Sequence, residues 1–537
     1  MQNQNQKAKK KEKKKNIHGV NTAIILFTRS FRLPENVNDE NISAAYKDGI
    51  LGSLCKYVIH NGLEFCGYFT VTKTPKWHRK CAKRGISKRP QMYRNLLFEQ
   101  PVDIQLQAFY QTPLGELYQV IPFDSFSEHI PKPKRAISGK GCKPWFDVKG
   151  GIALQILKSY YRCSDALLVE QINGNWQAQM FCGILLLPGE QIKDKDIAGR
   201  WRSYLGQYLD MDRLQMDCVA HWKPYMEHTH TGFSDATVYE SYIEYPTDAK
   251  LLWKSCCDVL QMIRTVRKRV KLRGTRINHE KRKRQYLSFA KRRKKSKRHS
   301  KKMCKSLLKY LHRLTDQLEQ IKEKYAVGIR ASNHKRLSTI KKLKGQQWEL
   351  HFGNQSKVPD RIVSLHKPYV RPIIRGKEVK PVEFGAKVNM LLVDGISFIE
   401  HLSYDNFNEG TRLQSTIHLQ CRYFGACHQI GADAIYATNE NRKYCTQNNI
   451  ATSFVAKGKE GKLKEQKSQM RSILGKVRST VLEGSFGNEK NHYQMNKIKA
   501  RTQRNEKAWI FFCLLTCNAM QMAKKMQAAK QKIKQAA

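Results

Sequence analysis

Three acids in this 537-residue chain stand where carboxylates carried by separate elements can converge. Asp235 lies in FSDATVYESYIEYP, Asp433 in IGADAIYAT and Glu483 in VRSTVLEGSFGNEK. Oxygen ligands from rigid elements, with positions left open for water and phosphate oxygens, are what a hard divalent cation requires. Two cations so held activate water and stabilise a leaving 3′ oxygen in an in-line displacement at phosphorus. Lys490 follows Glu483 by seven residues, which is two turns along one helical face. Each acid taken alone is weak evidence, because a lone Asp is ordinarily a cap, a turn residue or a surface charge. Glu240, Glu244 and Asp248 rival Asp235, and Asp394 and Asp405 rival Asp433. Composition and periodicity do not choose among them.

The elements that must position these groups are partly legible. VYESYIEYP alternates β-formers with polar residues and predicts a strand with Asp235 at its start. EFGAKVNMLLVDGISFIEHLSYD predicts two strands joined at Asp394-Gly395, a hairpin signal. IGADAIYAT predicts a strand ending at Asp433, and TSFVAK a further short one. From about residue 100, apolar residues recur at helical spacing, as in Ile152, Leu154, Ile156 and Leu157, then Leu167, Leu168 and Ile172. Ser164 is placed to cap the second of those helices. The chain is predicted to be helical again from about Gln466 to Ala536. Strands, helices and strands again indicate an α/β core carrying a helical insertion.

The charge points to a polyanionic partner. Lys and Arg number 98 against 45 Asp and Glu, a formal net charge of +53. Self-repulsion on that scale excludes an ordinary metabolic enzyme and makes nucleic acid the leading partner. From Arg264 to Lys305 there are 21 Lys or Arg and one acid, Glu280. We read Arg264, Arg267, Lys268, Arg269, Lys281, Arg282, Lys283, Arg284, Lys291, Arg292 and Arg293 as phosphate-tracking DNA-binding residues. The alternative is a solvated basic helix. A stripe of Leu307, Leu311, Leu314, Leu318 and Ile321, on a helix from about Lys301 to Ala326, packs inside the monomer or forms a dimeric coiled coil. His228 and His230 are weaker metal-ligand candidates, and Trp253 is read as a core residue or a base-stacking one.

Fifteen cysteines, odd in number and without a CxxC pair, fit buried reduced thiols better than disulfides. The N-terminus MQNQNQKAKKKEKKK lacks the apolar region of a signal peptide, and no apolar run reaches the length of a membrane span.

Several blocks together resemble bacterial insertion-sequence transposases with an Asp-Asp-Glu active site, of the insertion-sequence-five type. FSDATVYESYIEYPTDAKLLWK resembles the strand of the first Asp, Asp235; ADAIYATNENRKYC resembles the block of the second, Asp433; LEGSFGNEKNHYQMNKIKAR resembles the block of the catalytic Glu, Glu483, with Lys490 as companion base. The resemblance runs from about Pro101 to Asn518. It implies a ribonuclease-H-like (retroviral-integrase-type) catalytic core, dependence on Mg²⁺ with Mn²⁺ as a substitute, and cutting and joining of DNA. The DNA partners implied are the element's terminal inverted repeats and the target, handled by a homodimer or higher assembly on the bacterial nucleoid, without a membrane. The family often carries a Tyr and an Arg at fixed spacing before the Glu. Here position 479 is Ser, and the nearest Arg, Arg478, is one residue off.

The expected organisation is a basic arm (1–16), an N-terminal region without a functional reading (17–100) and a helical DNA-binding domain (101–220). The catalytic core is expected in two parts (221–250 and 359–520) around a basic helical insertion (251–358), with a basic tail (521–537). A metal-dependent nuclease that cuts without joining, and a non-catalytic DNA-binding protein, are the alternatives.

Overall fold

The computed structural model describes residues 42–47, 50–58 and 64–70 and then, with short gaps, residues 102–536. The chain divides into residues 1–86 and 87–537. In the first part, β1 (Ile42–Lys47), β2 (Ile50–Val58) and β3 (Glu64–Thr70) form an antiparallel meander. The basic arm at 1–16 lies outside the described residues.

The second part opens with eight helices among the described residues: α1 (Val102–Tyr110), α2 (Pro113–Val120), α3 (Phe123–His129), α4 (Val148–Tyr161), α5 (Asp165–Gly174), α6 (Trp176–Phe181), α7 (Ile197–Leu205) and α8 (Met211–Trp222). Their starts are set locally. Thr112, Asp147, Ser164 and Asn175 each accept a hydrogen bond from a backbone N–H of the helix they precede, and Pro113 takes the first-turn position of α2. Ser164 accepts from the Leu167 N–H over 3.2 Å, as its place in the sequence predicted. α4 is buried nearly all round, with Ile152, Leu154, Ile156 and Leu157 inaccessible. It packs against the C-terminal helix, where the Ser159 hydroxyl meets the Cys513 thiol at 3.2 Å. The apolar core of these helices is therefore continuous with that of the sheet that follows.

The sheet is mixed. β4 (Thr231–Ser241) lies at its centre and is buried along almost its whole length. β6 (Val382–Val393) runs antiparallel to β4, and β7 (Ile396–Ser403) antiparallel to β6, while β5 (Pro372–Ile374) pairs with the start of β6. β8 (Gln429–Ala432) is parallel to β4, and β9 (Ala451–Thr452) is parallel to β8. The order β7-β6-β4-β8-β9 thus joins an antiparallel half to a parallel half. The β6–β7 hairpin turns at Asp394 (φ 50°) and Gly395 (φ 82°), two left-handed residues whose twist matches the flanking strands. Two strand expectations are corrected. Asp235 sits in the middle of β4 rather than at its start, and of TSFVAK only Thr452 is in a strand, the two-residue β9 Ala451–Thr452.

Between β4 and β5 run α9 (Asp248–Arg269), α10 (His279–Lys291), α11 (Lys297–Lys324) and α12 (Ala331–His351). They bury their own apolar cluster, in which Leu307, Leu311, Leu314, Leu318 and Ile321 of α11 face α9 and α12. The leucine stripe is thus intramolecular packing. The basic run from Arg264 to Lys305 is three helices rather than one, interrupted where Lys271 turns left-handed (φ 52°) and again at Arg292–Ser296. Asp248, at the first turn of α9, ties this region's two ends together. It accepts from Gln347 at 2.9 Å and from Arg361 at 2.7 Å.

After β7 come α13 (Leu413–Phe424), β8, α14 (Asn439–Gln447), β9, α15 (Lys464–Val477), α16 (Glu483–His492), β10 (Lys497–Ile498) and α17 (Gln503–Ala536). The expected tail from residue 521 is the continuation of α17. That helix is pinned to β7 by Asn518, which exchanges two hydrogen bonds with the Ser397 backbone, at 3.1 and 2.7 Å. No helix among the described residues is long and apolar enough to cross a membrane.

Candidate active site

Ser234 of β4 lies in register with Ala432 of β8, and the strands are parallel. The next residues, Asp235 and Asp433, therefore come side by side at about one strand spacing, roughly 4.8 Å between backbones. Each carboxylate accepts the N–H of the residue after it over 2.7 Å, Ala236 and Ala434 respectively. That local bond holds both side chains near the backbone. Asp433 ends its strand and opens a 3₁₀ turn, Ala434–Tyr436. Tyr436 anchors the turn from below: it is fully buried and donates to Asn389 Oδ1 on β6 over 2.6 Å. The spacing Asp433-Ala434-Ile435-Tyr436 thus couples an exposed acid to a buried anchor.

Glu483 arrives from a helix. Residues Arg478–Leu482 form a π-helical turn between α15 and α16, and the Glu483 N–H bonds to the Arg478 carbonyl. A π turn closes from residue i to i+5, whereas an α turn closes from i to i+4. The wider turn brings Arg478, five residues before Glu483, onto the face of that glutamate. Arg478 Nη1 lies 3.2 Å from Glu483 Oε1 and 3.4 Å from Asp235 Oδ2. The one-residue offset read in the sequence is absorbed by the backbone.

Asp235, Asp433, Glu483 and Arg478 line one open cleft of about 620 Å³. Arg375, Lys387 and Glu409 line the same cleft. Burial pushes the Asp235 carboxyl up to about 6; the Ala236 N–H and Arg478 oppose this, and the like charges of Glu409 and Asp433 add to it. Glu409, which the sequence reading passed over, is held by Lys387 at 2.8 Å and by Arg375 at 3.4 Å. Nothing local in the sequence marks it, since it stands in a short 3₁₀ turn, Glu409–Arg412, far from the other acids along the chain.

The donor set suits a hard divalent cation. Three carboxylates face an open cleft; burial is the main cause of the raised Asp235 carboxyl, with the like charges of Glu409 and Asp433 adding to it, and a cation favours the ionised form against both. Among the described residues no three His, Cys, Asp or Glu side chains stand close enough together to hold a metal, so ligation requires side-chain movement within the cleft.

The other predicted residues are placed as follows. Lys490 Nζ donates to Thr237 Oγ1 over 2.7 Å, on the face of β4 that carries Asp235, and is not part of the cleft lining. Of the rivals, Glu244 pairs with Lys254, Asp248 with Arg361, Asp394 with Lys525 and Asp405 with Arg371, while Glu240 lies toward the far end of β4, opposite Lys497. His228 and His230 do not line the cleft, and the His230 ring packs against His428. Trp253 is sandwiched between His279 and Tyr286, with centroids 5.1 and 4.9 Å away, which leaves neither face for a base. Within the basic insertion, Arg264, Lys268, Arg269, Lys281, Lys283, Arg284, Lys291, Arg292 and Arg293 are exposed. Arg282 is half-buried and donates to Ser306 over 2.8 Å. Arg267 is buried, which removes it from any phosphate-facing surface, because its helix turns that position toward α11. A second cleft, of about 770 Å³ beside α8, β7 and α13, contains acids already neutralised by arginines, Asp212 by Arg422 and Glu400 by Arg412.

The family described as Transposase DDE domain matches residues 430–519, a span that contains Asp433, Arg478, Glu483 and Lys490. The Hsp20/alpha crystallin family matches residues 2–53. No curated protein and no solved structure matches the chain.

Proposed function

We propose that the chain is a DNA transposase of the Asp-Asp-Glu class and of the insertion-sequence-five type, built on a ribonuclease-H-like core. The observation that carries this reading is the meeting of Asp235 and Asp433, on adjacent parallel strands, with Glu483 in one cleft. The transposase-domain match over the second and third acids supports it, as does the strand order of antiparallel and parallel halves.

In this reading Asp235, Asp433 and Glu483 hold Mg²⁺, or Mn²⁺ in its place. The bound ion supplies Lewis-acid activation of water and neutralises charge on the leaving 3′ oxygen. Arg478 and Lys490 contact phosphate oxygens near the cut. The exposed lysines and arginines of α10 and the segment after it track the DNA backbone, giving affinity without sequence readout. The substrates are the terminal inverted repeats of a mobile element and the target DNA, brought together by a dimer or higher assembly on the nucleoid.

The test is Asp433→Asn assayed for Mg²⁺-dependent cleavage of duplexes carrying the element's ends. Loss of cleavage with an unchanged melting temperature is the expected result, and undiminished cleavage removes Asp433 from the site. Pre-cleaved ends offered with target DNA then distinguish two enzymes: joined products mark a transposase, and cutting without joining marks a nuclease. Salt-sensitive binding with no metal-dependent turnover marks a DNA-binding protein.

A further inference from the structure

We infer that Arg478 is a resident counter-cation of the metal site: its guanidinium holds the place between Asp235 and Glu483 that a divalent ion takes, and it must leave before the ion can bind. This inference rests on the reading of the cleft as a divalent-metal site. A single nitrogen, Nη1, lies within reach of both carboxylates, at 3.4 and 3.2 Å. An Mg²⁺ ion draws its oxygens to about 2.0–2.1 Å, so the ion and the guanidinium compete for the same space and the same charge. Arg478 is also the more enclosed partner, with its side chain 19% exposed against 53% for Glu483. The π turn that carries it sets that position, five residues before Glu483 and on the same face.

A displaced Arg478 stays in the cleft, where a phosphodiester offers it two oxygens in the fork geometry a guanidinium prefers. DNA therefore removes the competitor by giving it another partner. Ion binding and DNA binding strengthen one another, and each must raise the affinity of the other by the same factor.

The experiment measures Mn²⁺ affinity of the full chain by electron paramagnetic resonance, with and without a short DNA duplex. Wild type, Arg478→Gln and Asp433→Asn are compared, with melting curves as the folding control. Arg478→Gln is expected to bind Mn²⁺ about tenfold more tightly than wild type when DNA is absent, and to lose the further tightening that DNA brings. An unchanged or weaker affinity in folded Arg478→Gln overturns the inference. Should that variant not fold, Arg478→Lys decides, since the shorter point charge competes less well and tightens Mn²⁺ binding; no gain there overturns it equally. Asp433→Asn keeps the two claims apart. If it binds Mn²⁺ as wild type does, the metal-site reading fails and takes this inference with it. If it loses Mn²⁺ while Arg478→Gln gains nothing, only the role of Arg478 falls.

Discussion

Tyr436 donates its hydroxyl to Asn389 Oδ1 across 2.6 Å of buried space, joining the turn after Asp433 to β6, one strand beyond β4. Asn389 completes the link by donating to Thr416 and to Glu400, each at 3.0 Å. The position of Asp433 thus depends on a polar network beneath it, in which every deletion leaves a buried group unpaired. Tyr436→Phe keeps the ring and strands Asn389 Oδ1. The expected cost is about 1–3 kcal/mol in urea unfolding. Cleavage should fall as well, while binding of DNA in the absence of metal should not change. A variant as stable as wild type would show that the hydroxyl does not anchor the turn.

A second buried acid gives a pH dependence. Glu489 is completely inaccessible, and burial pushes its carboxyl up to about 7, against the hydrogen bonds donated by Tyr239 and Ser485. With the folded value above the unfolded one, the folded state keeps this proton longer than the unfolded chain does. Stability is therefore fully present below about pH 4.5, declines as the pH rises through about 7, and is lower by about 3 kcal/mol beyond that. Glu489→Gln removes the titration. Its unfolding free energy should equal that of wild type at pH 4.5 and exceed it at pH 8. Parallel pH profiles for the two proteins would assign the dependence to another group.

The end of the sheet holds an ion pair with almost no exposure. Lys367 Nζ lies 2.6 Å from Glu506 Oε1, and Ser241 of β4 donates to the other carboxylate oxygen over 2.9 Å. Breaking such a pair from one side leaves a buried charge without solvent or counter-charge. Lys367→Met should cost about 3–5 kcal/mol, whereas Lys367→Met combined with Glu506→Leu should recover most of that loss. A double variant no better than the single one would mean that the pair itself, rather than the stranded charge, carries the stability.

The exposed cations of α10 should act on affinity and not on chemistry. Replacing Lys281, Lys283 and Arg284 together by Gln should lower the slope of log affinity against log salt by roughly one for each phosphate no longer neutralised. The weakening should be the same for specific and non-specific duplexes. A slope equal to that of wild type would place the DNA on another surface.

How much of this was legible beforehand follows physical lines. The hairpin at Asp394-Gly395 was, because two consecutive left-handed positions demand that pair of residues. So was the leucine stripe, whose period is local to one helix. Asp235 and Asp433 were visible only as one pair among several, since what unites them is the Ser234–Ala432 register, a pairing between residues almost 200 positions apart. The family resemblance, and not spacing, singled them out. Glu409 was invisible because its membership of the cleft comes from the packing of a short turn. Arg478 was visible but misaligned, because counting along a sequence assumes an α-helical repeat and the chain uses a wider turn there. Burial of Arg267 within a run of cations was hidden for a similar reason: charge density reads as surface, and one position in each turn of an amphipathic helix faces inward regardless.

The clasp at Asp248 bears on the origin of the architecture. Because the chain leaves β4 and returns toward β5 through contacts on a single side chain, and because the four helices between bury their own apolar cluster, the sheet is nearly indifferent to what is inserted there. The insertion behaves as a cassette. Replacing residues 248–361 by a short linker should spare the carboxylate cleft while removing the densest stretch of positive charge, and a foreign helical hairpin of similar footprint should be accepted in the same slot. The basic surface can therefore be exchanged without altering the strands that carry Asp235 and Asp433.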